Sequence, residues 1–226
     1  LRRGVWKGGC FNSDPNPDAG VAAAERVASI DADADVLILA TPVDVAVRLL
    51  RTARAPLITS VCSVMEPLRA VGDDRFVAGH PLAGSATRGI SAARADLFEN
   101  ATWFIDRDDA TIREIIAACG ANTEVVDAAE HDRAVALTSH VPQVLSTALA
   151  AYLHDQQIDL RFAGPGLRTF LRLAGSEASV WTPIIDANRE NLRPHIDAVA
   201  EIVRGIVEGD ASSFAKANDL LAKLRA

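Results

Sequence analysis

The sequence predicts an α/β protein in which a mostly parallel, doubly wound sheet is followed by an all-helical half. Three observations carry this. Short β-rich runs alternate with helical stretches through the first half. Near Ala129 the pattern changes, and from His131 onward apolar positions recur only at helical spacing. No internal repeat or low-complexity linker separates the halves, so they are expected to pack against each other.

Taken in order, Val36 to Ala40 reads as a buried strand closed by Thr41 and Pro42, Leu57 to Val61 as a second strand, and Arg75 to Ala78 as a third. Ala101 to Ile105 and Thr123 to Val126 follow. Val43 to Thr52 and Thr111 to Cys119 are the helices between them, the latter stopped by Gly120. In the second half Val135, Thr138, Val141 and Leu145 share a helix face, with Pro142 predicting a bend. Ile184 to Leu192 and Ile196 to Val207 continue the helical pattern. The expected domains are 1–128 and 129–226.

The chain has 226 residues, of which 49% are hydrophobic, too many for a disordered polypeptide. A net charge of -7 with no basic run argues against nucleic acid as a partner. The apolar stretches are strand-length, so no membrane span is expected, and Leu1 to Gly4 is followed by no apolar run that would make a signal peptide. Cys10, Cys62 and Cys119 form no CxxC pair, so neither a disulfide framework nor a metal site is expected, and a cytoplasmic location is the default.

In an open parallel sheet, ligands bind at the carboxyl ends of the strands. Three strands end there in short polar segments: Thr41-Pro42, Cys62-Ser63 and Gly79-His80-Pro81. Ser63 and His80 are thus expected to face one crevice, although a lone loop histidine is more often an ordinary surface residue. His140 and Gln143 share a helix face at i, i+3, where a partly buried histidine beside a tolerated kink is an equal alternative. Gly164 to Gly166 opens a helix carrying Arg168 and Arg172 at i, i+4. A solvated face is the usual meaning of such arginines, and an anion site at the helix start is the functional one.

Six segments in this order resemble the prephenate/arogenate dehydrogenase family of tyrosine biosynthesis: Asp35 to Val43, Ile58 to Val64, Gly79 to Ser85, His131 to Arg133 followed by Ser139 to Pro142, Phe170 to Arg172, and Trp181 with Ala187 to Glu190. The resemblance runs from about Asp14 to Val207. It implies a Rossmann-like domain followed by a helical dimerisation domain, hence a homodimer. The implied reaction sends a hydride from C4 of a dicarboxylate substrate, prephenate or arogenate, to NAD(P)+, with loss of the ring carboxylate. By this resemblance His80 is the catalytic histidine that takes the 4-hydroxyl proton, an imidazole that titrates near neutrality. Ser63 hydrogen-bonds the same hydroxyl. His140 and Arg172 hold the substrate carboxylates, with Ser85 and Gln143 as further contacts.

Thr41, Pro42, Asn12 and Ser13 fall on the cofactor side of the resemblance, and Asn12, where the family has an acidic residue, points to NADP rather than NAD. Ser60, Cys62 and Met65 replace the usual Asp, Gly and Lys around Ser63, and Ala86 stands where an acidic residue is common. No GxGxxG turn occurs in the chain. Leu1 to Gly4 instead resembles the end of a first helix, so the sheet is expected to be incomplete, N-terminally truncated by about 25 residues of its first βα unit. The chain's end at Ala226 is expected to leave no room for a regulatory domain. Two other readings compete: a cofactor-free homologue with a repurposed pocket that catalyses a non-redox reaction or only binds a small carboxylate, and a non-catalytic dimeric partner.

Overall fold

Alternating apolar side chains on short strands leave this chain with two sheet faces to cover, and helices cover both. The computed structural model describes residues 34–84 and 94–225, with the backbone of two short strands, β1 (Phe11–Asn12) and β2 (Glu25–Arg26), paired in parallel. Ser13 and Ser85 lie outside the described residues, as does the Leu1 to Gly4 segment, and nothing is described of the Asn12 side chain.

Strands β3 (Val36–Leu39), β4 (Leu57–Ser60) and β5 (Phe76–Val77) form a parallel sheet in that order. Helix α1 (Val43–Leu50) crosses from β3 toward β4, and α2 (Glu66–Arg69) stands between β4 and β5. One face of this sheet packs Ile58, Phe76 and Ala78 against Leu39, Ala46, Leu50, Met65 and Leu68. Val77, one residue out of phase with Phe76, points to the opposite face and joins Trp103, Ile105, Ile112 and Ile116. Each such fully buried aliphatic side chain contributes about 1.5–3 kcal/mol.

The chain continues from β5 into β6 (Gly79–Pro81), which pairs antiparallel with β7 (Thr102–Ile105), itself parallel to β8 (Asn122–Val125). The sequence reading placed Gly79 to Pro81 in a polar segment after a strand; it is a strand of its own. Gly79 makes this possible, because a Cβ there would stand 2.6 Å from the Ser60 carbonyl oxygen. Its N–H donates to Ser60 Oγ at 3.2 Å. A serine at position 60 therefore ties β4 to β6.

Between β7 and β8, α3 (Ala110–Ala118) starts with the Asp109 side chain accepting the Ile112 N–H and stops at Gly120, whose φ is +80°.

From Ala128 the chain is helical. Helix α4 (Ala128–Val135) runs through a π turn, Ala136–His140, into α5 (Val141–Asp155). Pro142 has no N–H, and its ring would meet the carbonyl four residues back in a regular helix. The widened turn just before it is the form the predicted bend takes. This rod from Ala128 to Asp155 is long and apolar enough, by length and composition alone, to cross a membrane, unlike the strand-length runs on which the sequence reading rested. Its inward face, however, carries His131, Asp132, His140, Gln143 and Ser146, all buried and all bonded to other elements.

After it come α6 (Pro165–Phe170), a 3₁₀ turn (Leu171–Gly175), α7 (Ala178–Ala187), α8 (Arg189–Val207) and α9 (Ser212–Arg225). The expected continuous helix from Ile184 to Leu192 is broken at Asn188, which leaves helical geometry at φ -116°, ψ 20°. Its side chain is committed elsewhere, as described next.

Candidate active site

The buried residues of α4 are Ala128, His131, Asp132 and Val135, at i, i+3, i+4 and i+7. That is the inward stripe of an amphipathic helix, and it holds a histidine and an aspartate where aliphatics are usual. Sequence reasoning gave neither of them a role, although a polar pair on the inward stripe is a legible signal.

Asp132 is 1% exposed and sits at the junction between the sheet and the helices. The backbone N–H groups of Met65 and Glu66, at the start of α2, donate to its two carboxylate oxygens at 2.8 and 2.9 Å. His131 Nδ1 lies 2.8 Å from Oδ1 of the same carboxylate. The other ring nitrogen, Nε2, lies 2.9 Å from His80 Nδ1. A continuous chain thus runs from the start of α2 through Asp132 and His131 to His80 on β6. Phe104 packs edge-on against His131, with ring centroids 5.4 Å apart.

A second branch leaves Asp132 from its backbone. Asn188 Nδ2 donates to the Asp132 carbonyl at 2.8 Å and lies 3.2 Å from His140 Nδ1. Asn188 Oδ1 accepts from Asn191 at 2.8 Å. Trp181 stands edge-on to His140 at 5.8 Å. Asn188, like His131 and Asp132, is a residue that sequence reasoning quoted without a role.

Burial pushes the His80 imidazole down to about 3, helped by the neighbouring charges that His131 and His140 would carry. Burial likewise lowers His140 to about 4, with Asp132 opposing and His131 adding to the shift. This corrects the expectation that His80 titrates near neutrality. Burial thus favours the neutral form of both rings over the imidazolium.

The other sequence candidates fall around this centre. Ser63 lies half-buried on the turn between β4 and α2, two residues before Met65, so the bond from Met65 to Asp132 fixes its loop. Cys62 is buried beside it, its thiol pushed up to about 12 by burial and 3.5 Å from the Thr41 carbonyl. Thr41 and Pro42 stand at the carboxyl end of β3, where α1 begins without a side-chain cap.

Gln143 is 3% exposed, and its Nε2 donates to Leu173 O at 2.9 Å and to Thr147 at 3.1 Å. Ser146 donates to Phe170 O and accepts from the Ala174 N–H. Together they hold the 3₁₀ turn that carries Arg172. Arg172 therefore does not share one α-helix with Arg168, as i, i+4 spacing implied. Among the described residues the Arg172 guanidinium is exposed and makes no hydrogen bond or ion pair, whereas Arg168 Nε donates to Ala163 O. Gln143 Oε1 is buried without a partner among the described residues. The described residues hold no cluster of metal-ligating side chains.

Thr41, Pro42 and Ser63 lie at the carboxyl end of the parallel sheet, where open α/β sheets bind their ligands. A GxGxxG turn for the pyrophosphate does not occur in the chain.

Two family models match the chain: the prephenate dehydrogenase nucleotide-binding domain over residues 16–128 and the prephenate dehydrogenase dimerization domain over residues 127–217. A prephenate dehydrogenase of Lactococcus lactis is 29% identical over 192 residues, covering 74% of this chain and 54% of the relative. The chain spans about half the length of the curated relatives it matches. The fold is that of the Aquifex aeolicus prephenate dehydrogenase solved with hydroxyphenyl propionate and NAD+, with a TM-score of 0.82 at 23% identity over 100% of this chain and 92% of that one. A Synechocystis arogenate dehydrogenase superposes with a TM-score of 0.64 at 23% identity, over 89% of this chain and 84% of that one. With both family models matched along it, this chain belongs to the prephenate dehydrogenase family.

Proposed function

We propose that the chain carries out the oxidative decarboxylation of prephenate or arogenate with hydride transfer to NAD(P)+, in tyrosine biosynthesis. The observation that carries this reading is the chain from Asp132 through His131 to His80, which leaves a neutral imidazole at the sheet edge. A nicotinamide held at the carboxyl end of the parallel sheet would supply the acceptor for the C4 hydride. His80 accepts the 4-hydroxyl proton, and Ser63 hydrogen-bonds the same hydroxyl. A base that titrates at about 3 is weak, but a dianionic substrate beside it favours the imidazolium and raises its basicity. His140 and Arg172 hold the carboxylates, the first as a neutral donor and the second through its charge. Ser85 and Gln143 are further polar contacts of the substrate. Asn12, Ser13, Thr41 and Pro42 line the cofactor side, with NADP favoured by Asn12. The protein works as a homodimer in the cytoplasm.

The test supplies the chain with prephenate or arogenate and either NAD+ or NADP+, and follows reduced cofactor together with the aromatic product. Stoichiometric appearance of both is expected. No product at saturating cofactor overturns the reading. Undetectable dinucleotide binding, with a small dicarboxylate still bound, would instead select a pocket that acts without cofactor.

A further inference from the structure

We propose, resting on the dehydrogenase reading above, that His131 and Asn188 are positioning residues that hold the two pocket histidines in opposite tautomers, His80 with a bare Nε2 that accepts and His140 with an Nε2–H that donates. The argument starts at Asp132. Three groups converge on its two oxygens: the Met65 N–H, the Glu66 N–H and His131 Nδ1. Two of these are backbone donors with no alternative role, and a carboxylate has only lone pairs to offer. His131 Nδ1 must therefore carry a proton. Its Nε2 is then bare in the neutral ring and can only accept. The partner at 2.9 Å, His80 Nδ1, must donate to it. A neutral His80 protonated at Nδ1 has its lone pair at Nε2.

The second branch gives the opposite result. The Asp132 carbonyl accepts only, so the Asn188 atom 2.8 Å away is its NH2 group, and the Asn191 amide donating to Asn188 Oδ1 fixes the same orientation. The second hydrogen of that NH2 points to His140 Nδ1 at 3.2 Å. His140 Nδ1 must accept, which leaves its proton on Nε2. One residue, Asp132, thus directs both rings, through its carboxylate in one case and its carbonyl in the other. A substrate with a hydroxyl to deprotonate and carboxylates to hold needs one acceptor and one donor. Two identical histidines become chemically different without either being charged.

The experiment is a long-range ¹H–¹⁵N correlation spectrum of the ¹⁵N-labelled chain at neutral pH, which reads the protonated nitrogen of each ring directly. Signals are assigned by their loss in His80→Asn and His140→Asn. His80 is expected as the Nδ1–H tautomer and His140 as the Nε2–H tautomer. The same tautomer on both rings, the reverse pair, or an imidazolium at either position overturns the proposal. In His131→Phe, which keeps the ring volume, His80 is expected to become a tautomer mixture with His140 unchanged. Asn188→Leu is expected to do the converse. A His80 tautomer unmoved in a folded His131→Phe overturns the positioning role. Since the spectrum requires no turnover, the expected tautomers in a chain that produces no aromatic product would count against the dehydrogenase reading alone.

Discussion

His80 and His131 meet nitrogen to nitrogen, Nδ1 to Nε2 at 2.9 Å, with their ring planes 87° apart. Only one proton fits between those atoms, so protonating both rings fully forces two N–H groups together. The contact couples His80 at the sheet edge to a helix 51 residues further along the chain. Any loss of that helix's position is felt at His80.

His80→Asn is expected to leave the fold intact and lower kcat by about 10²–10⁴ with KM little changed, because it removes a general base. Steady-state kinetics with NAD+ or NADP+ supplied checks this. A variant that keeps more than about half of the wild-type kcat excludes His80 as the base.

Arg172→Ala is expected to raise KM more than it lowers kcat, since an anchor binds ground and transition states alike. Arg168→Ala is the comparison: its guanidinium holds the Ala163 carbonyl, so it should leave KM nearly unchanged. Equal effects of the two substitutions would remove the special role of Arg172.

Acid should destabilise this protein earlier than its carboxylates alone would. Folding lowers His80 to about 3 and His140 to about 4 from an ordinary 6.5. With the folded values depressed, the unfolded chain takes up protons first as pH falls below about 6.5, so stability declines from there toward about pH 4 to 3. Urea midpoints should fall between neutral pH and about pH 5, before most carboxylates titrate. A midpoint that stays flat over that interval contradicts the buried, neutral state of both rings.

Helices α8 and α9 expose Val203, Ile206, Val207, Phe214, Leu220 and Leu224, large apolar side chains of the kind that a partner subunit covers. Light scattering at micromolar concentration is expected to give a dimer. Pairing Val207→Asp with Leu224→Asp should shift it toward monomer. A wild-type monomer at that concentration rules out the homodimer.

Much of the fold was legible because it is written locally. Strands β3, β4, β7 and β8 lie within a residue or two of their predicted bounds, as do α1 and α3, the latter stopped by its neighbour Gly120. The four-residue α2 is too short to show a period, and β6 exists only because Gly79 lets β4 approach. The site divides the same way. Ser63, His80, His140 and Arg172 were singled out by position and family pattern. The groups that orient them act across 67 residues from Asp132 to Met65 and 56 from Asn188 to Asp132, separations that no local pattern encodes.

The π turn at Ala136–His140 has a consequence for the helix's phase. Its closing bond runs from the Val141 N–H to Ala136 O, five residues back. On a regular α-helix the step from Asp132 to His140 would rotate about 800°, leaving the two about 80° apart. One π turn absorbs an extra residue, or about 100°, and brings them to within about 20° of one another. That alignment is what lets the single Asn188 amide reach both the Asp132 carbonyl and His140. The rod therefore holds one residue of slack. Deleting Thr138 should let the helix regularise with His140 still facing Asn188. Inserting an alanine at the same place should swing everything from Val141 onward through about 100°, carrying Gln143 and Ser146 away from the turn that bears Arg172.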